Sequence, residues 1–122
     1  MAIATLGAVA LDCPDPHALA AFYAELLGGK VVVEEGGRWV DLVGEDGVVL
    51  AFQEAPDHVP PRWPDPSAPQ QFHLDLRVPV IDEVHERVLA LGARLLDDNG
   101  GEPRGWRVYA DPAGHPFCLC GR

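Results

Sequence analysis

Residues 71–96 read QFHLDLRVPVIDEVHERVLALGARLL, and a change of period inside this stretch decides the fold. Over residues 71–78 the apolar positions alternate. Phe72, Leu74, Leu76 and Val78 share one face, and His73, Asp75 and Arg77 share the other. Period two marks a strand with one face against a core. From Val80 the spacing becomes helical: Val84, Val88 and Leu91 fall on one stripe of a helix over 80–91, and Gly92 supplies its stop. Three strands follow, at 93–96, Trp106–Ala110 and 116–120, with turns at 97–105 and 111–115.

The same order stands upstream. Residues 3–11 read as a strand, with Val9 and Leu11 on one face and Ala8, Ala10 and Asp12 on the other. Asp15 is an N-cap and Pro16 suits a first helical position, so a helix spans Pro16–Leu27 with Leu19, Phe22, Tyr23, Leu26 and Leu27 on its apolar stripe. Gly28-Gly29 ends it. Strands over 30–35, 38–43 and Gly47–Glu54, separated by Gly36-Gly37 and Glu45-Asp46-Gly47, form a meander. Residues 55–69 hold six of the twelve prolines, so they can be neither helix nor central strand. The chain therefore reads as α+β, one domain over 1–122, made of two βαβββ modules (1–54 and 70–122) joined by a proline-rich linker. Each module alone exposes an apolar sheet face, and pairing covers it.

With 122 residues the chain is long enough for a core without staples. Nineteen acidic residues against nine basic ones give a net charge of −10, and the basic residues are scattered. Such a surface repels nucleic acid and anionic membranes. No stretch approaches the ~18 apolar residues of a membrane span. Three cysteines, Cys13, Cys118 and Cys120, form no disulfide framework, and the start lacks a basic, apolar leader, so the expected location is the cytoplasm.

Three segments carry a family resemblance. Asp12-Cys13-Pro14-Asp15-Pro16 with Leu19-Ala20-Ala21-Phe22-Tyr23 and Leu26-Leu27-Gly28 is similar to a first strand-to-helix join. Gln71-Phe72-His73-Leu74-Asp75-Leu76 is similar to a fifth strand, and Asp111-Pro112-Ala113-Gly114-His115-Pro116-Phe117 to the turn before a last strand. Together with the element order they resemble the glyoxalase/bleomycin-resistance/extradiol-dioxygenase superfamily, the vicinal oxygen chelate fold. Residues 109–119 are most similar to its actinobacterial glyoxalase-like branch. The resemblance implies helices on the outer faces of two curved sheets, a cavity along the inner faces, and a homodimer. It also implies metal ligands on the first, fourth, fifth and eighth strands. Those places fall on Ala8, Ala51, His73 and Cys118, of which only His73 is of the common ligand type.

One imidazole and one thiol fall short of the three protein ligands of a usual catalytic centre. The first reading is therefore a small-molecule-binding protein that needs no cofactor, with Trp39, Gln53, Trp63, His73, Asp75, Trp106 and Cys118 as ligand-binding candidates. Trp39 shares a strand face with Asp41, and aromatic and acidic groups together suit a cationic, aromatic metabolite or drug. The second reading is an enzyme, a lyase, isomerase or dioxygenase that uses His73. There His73 and Asp75 act as an oriented base, or His73 and Cys118 hold Ni, Mn, Fe or Zn.

The other side chains get plainer assignments. Cys13, Cys118 and Cys120 read as small buried hydrophobes, His115 and Gly114 as turn residues, and His85 as a solvated helix residue. Asp97-Asp98-Asn99-Gly100-Gly101 reads as a hairpin loop without the spacing of a calcium loop.

Overall fold

The computed structural model describes residues 2–102 and 105–121. The chain divides into two compact units, Met1–His58 and Val59–Arg122. The first holds β1 (Val9–Cys13), α1 (Pro16–Leu27), β2 (Lys30–Val33), β3 (Trp39–Gly44) and β4 (Gly47–Glu54). The second holds β5 (Leu74–Val78), α2 (Ile81–Ala90), β6 (Arg94–Asp97), a 3-10 turn at Asn99–Gly101, β7 (Trp106–Ala110) and β8 (Pro116–Gly121). Their sheets have the same topology, β1-β4-β3-β2 and β5-β8-β7-β6. In each, the opening strand lies parallel to the last strand of its module and all other pairs are antiparallel. Two tandem βαβββ modules are thus present as expected. No helix among the described residues is long and apolar enough to cross a membrane.

Local chemistry sets the bounds of α1. The Asp15 carboxylate accepts from the Ala18 N–H at 3.1 Å, Pro16 occupies the first turn, and Gly28 closes the helix at φ 75°. Its buried face is Leu19, Ala20, Phe22 and Tyr23, while Leu27, expected on the stripe, is exposed. Tyr23 stacks on Phe52 of β4. With Val40, Leu42 and Leu50 these residues form the core of the first unit. Cys13, the last residue of β1, is fully buried and donates its thiol hydrogen to the Gln53 carbonyl, a structural role.

The second unit packs Tyr109 and Phe117, also stacked, with Ile81, Val88 and Leu119. This layer differs from the sequence expectation in two ways. His85 is half-buried rather than solvated, with Nδ1 2.7 Å from the Tyr109 hydroxyl. Arg107 is buried on the same side of the sheet and donates to Asp82 of α2 and to Tyr109. That carboxylate, first, and the Tyr109 oxygen hold the guanidinium above its ordinary value against the cost of burial.

Both opening strands are shorter than the alternation suggests. β1 begins at Val9, and Ile3 and Leu6 lie fully in the open ahead of it. β5 begins at Leu74, which leaves Phe72 87% exposed instead of on the apolar face. Pairing starts at Val9 with Leu50 and at Leu74 with Phe117.

Candidate functional site

Register fixes which side chains share a face. In the second unit Leu74, Leu76, Phe117, Leu119, Arg107 and Tyr109 point to the side that α2 covers. The opposite face carries two cross-strand rows, Asp75–Cys118–Val108 and Arg77–Cys120–Trp106. His73 sits one residue ahead of β5, two before Asp75, and so joins the first row from its end. Its Nε2 lies 3.1 Å from an Asp75 carboxylate oxygen. One ring nitrogen of His73, one carboxylate oxygen of Asp75 and Sγ of Cys118 all lie within 4.8 Å of one another. Three candidates separated by up to 45 positions in the chain thus converge.

The thiol of Cys118 is pushed up to about 12. Burial is the largest cause, followed by the negative charges of Asp75 and Cys120 and a hydrogen bond to the Asp75 carboxylate. Cys118 is therefore a neutral thiol near pH 7 and a poor nucleophile there. As a ligand it would have to lose its proton to the ion.

The donor chemistry fits a metal in kind. Nitrogen, oxygen and sulfur ligands suit a borderline ion such as Zn²⁺ better than a hard ion such as Mn²⁺. Three donors leave an open coordination position. The matching places of the first unit offer none: Ala10 pairs with Ala51 as Asp75 pairs with Cys118, and Ala8 precedes β1 as His73 precedes β5.

The first unit has other equipment on its face opposite α1. Asp12, Gln53 and Trp39 form one row across β1, β4 and β3, and Ala10, Ala51 and Asp41 the next. The Trp39 indole N–H donates to the Asp41 carboxylate at 2.8 Å, which fixes the ring and sets a negative charge at its edge. Trp39 and Gln53 are registered neighbours across β3 and β4.

Trp63 stands half-buried on the proline-rich loop, between Arg62, which pairs with Asp65 at 3.6 Å, and Pro64. Trp106 belongs to the second row of its sheet, beside Cys120 rather than Cys118. Arg77, not among the candidates, shares the His73 face, as the alternation placed it. Asp97 and Asp98 spend carboxylate oxygens on the backbone N–H groups of Asn99 and Gly100, as a hairpin loop does. Asp111 accepts from the N–H groups of Ala113 and His115, which places His115 in a turn.

Two tandem βαβββ modules, each with a four-stranded sheet, give the chain the fold seen in glyoxalase/bleomycin resistance/dioxygenase proteins, the vicinal oxygen chelate fold. Residues 8–120 match the model of the glyoxalase-like domain family, and the chain belongs to that family. No curated protein matches the sequence. Among solved structures it is similar to a glyoxalase/bleomycin resistance protein/dioxygenase family enzyme from Burkholderia phytofirmans, at 18% identity and TM-score 0.71 over 95% of this chain and 97% of that one. It is also similar to the fosfomycin resistance protein FosX of Listeria monocytogenes, solved with Mn(II) and a dihydroxypropylphosphonic acid, at 17% identity and TM-score 0.66 over 98% and 91%. A third relative is TnmS3, an antibiotic binding protein from a Streptomyces species, at 21% identity and TM-score 0.59 over 98% and 97%.

Proposed function

We propose that the protein binds a planar, cationic small molecule against Trp39 and needs no metal ion to do so. The observation that carries this reading is the Trp39–Asp41 pair, with Gln53 alongside and Asp12 at the far end of the row. An indole face and a carboxylate at its edge both attract a delocalised cation. The net charge of −10 raises the local concentration of such a ligand. The fold likeness to an antibiotic binding protein agrees with a binding role.

The test is a fluorescence titration with N-methylquinolinium and, at pH 8, uncharged quinoline. The cation should bind at least tenfold tighter. Trp39→Leu should weaken it about tenfold, and Asp41→Asn should remove most of the preference for charge while keeping an acceptor for the indole. Equal binding of both probes, or an unchanged Trp39→Leu variant, would sink the reading. The reading includes a homodimer, which light scattering on the purified chain checks.

A second reading rests on the convergence of His73, Asp75 and Cys118. Here the protein is a lyase, isomerase or dioxygenase with a divalent ion held by these three residues. A bound ion would polarise a substrate oxygen. The His73–Asp75 pair would hold the imidazole orientation and, when His73 is not a ligand, accept a proton at a ring nitrogen. Equilibrium dialysis against Zn²⁺, Ni²⁺, Mn²⁺ and Fe²⁺ tests it. Near-stoichiometric uptake that disappears in His73→Ala supports the enzyme reading, and no uptake of any ion removes its metal form.

A further inference from the structure

The duplicated topology sets a second tryptophan in the place of the first, in surroundings of opposite charge. Trp106 pairs with Cys120 as Trp39 pairs with Gln53, and Arg77 stands at the end of that row as Asp12 stands at the end of the other. Asp41, which takes up the Trp39 N–H, is matched by Val108. The Trp106 N–H therefore has no carboxylate two residues on along its strand, and among the described residues neither the Trp106 nor the Arg77 side chain makes a hydrogen bond or ion pair. Both are exposed, Trp106 by 40%. One tryptophan lies among acceptors and negative charge. Its counterpart has a thiol and a valine beside it and a guanidinium at the end of its row.

Two steps across a sheet separate the Arg77 and Trp106 backbones by about 10 Å. A guanidinium on its three-carbon stem can lean over Cys120 towards the indole, leaving a span that suits a fused ring bearing an acidic group. Two carboxylates share this face: Asp75 is turned to His73 at 3.1 Å, and Asp97, registered with Val108 from β6, accepts from the Asn99 N–H at 2.8 Å. We propose that the face of β5, β8 and β7 opposite α2 binds a planar aromatic anion. The ring stacks on Trp106, and its carboxylate or phosphoryl group is bound by Arg77. Arginine matches either acid group with paired donors. This proposal rests on residues of the second unit and takes the opposite ligand charge, so its fate does not depend on that of the Trp39 reading.

The experiment is calorimetric titration of the whole chain with 1-naphthoate, 1-naphthyl phosphate and neutral 1-naphthylmethanol. At least one anion should bind tenfold or more tighter than the alcohol, and the tighter anion names the acid group. Arg77→Gln should weaken that anion about tenfold and erase its advantage, Arg77→Lys should restore part of it, and Trp106→Leu should weaken anion and alcohol together. The proposal is overturned if both anions bind no tighter than the alcohol, or if Arg77→Gln or Trp106→Leu binds like the parent.

Discussion

The clearest quantitative consequence of the site concerns Cys118. Its thiol is pushed from an ordinary value of 9.0 up to about 12 by burial, Asp75 and Cys120. At pH 7.5 the thiolate fraction is then about a thousandfold lower than for an ordinary cysteine. A more basic thiolate is also more nucleophilic, with a Brønsted slope of about 0.4–0.5, and this returns a factor of about 15 to 30. Alkylation by iodoacetamide should therefore run about 30 to 60 times slower at Cys118 than at the same residue in the urea-unfolded chain. The rate should climb tenfold per pH unit well past pH 9, where an ordinary thiol levels off. Asp75→Asn, which removes the nearest negative charge, should raise the native rate; burial, the largest cause, remains, so full recovery is not expected. Peptide mass spectrometry over a time course, quenched at several pH values, measures each rate separately for Cys13, Cys118 and Cys120. Native labelling of Cys118 at the unfolded rate, or a plateau near pH 9, would refute the assigned surroundings.

Three stability predictions follow from the second unit. Asp82→Ala strands the buried guanidinium of Arg107 and should cost about 3 kcal/mol in urea denaturation, while adding Arg107→Met should recover much of it. Asp111→Ala removes the acceptor of two backbone N–H groups and should cost about 2 kcal/mol, read as a lowered melting temperature. Gly114→Ala should cost about 2 kcal/mol or more, since φ is +91° and a Cβ would come within 2.5 Å of the Pro60 side chain.

The first helix and the long fourth strand were legible residue for residue, because their ends are written in local chemistry. Asp15 and Pro16 start α1, Gly28 stops it, and Asp46-Gly47 turns the chain into β4. The opening strands were not so legible. Alternation extends through Ile3–Leu11 and Gln71–Val78, yet pairing begins only at Val9 with Leu50 and at Leu74 with Phe117, and side-chain alternation does not say where hydrogen-bond pairing starts. His85 looked solvated because the stripe was read as Val84, Val88 and Leu91, whereas the buried residues of α2 are Ile81 and Val88, four before and three after His85, and the phenol that engages it lies 24 residues on.

The sequence by itself determined which side chains share a face, since a pleated strand sends alternate residues to opposite sides. It thereby set His73, Asp75 and Arg77 together, and Trp39 with Asp41. Only the tertiary structure decided which of them meet. Strand register seated Cys118 beside Asp75 and Trp106 beside Cys120, because hydrogen-bond pairing between distant segments depends on how whole modules pack and leaves no local signature in the chain.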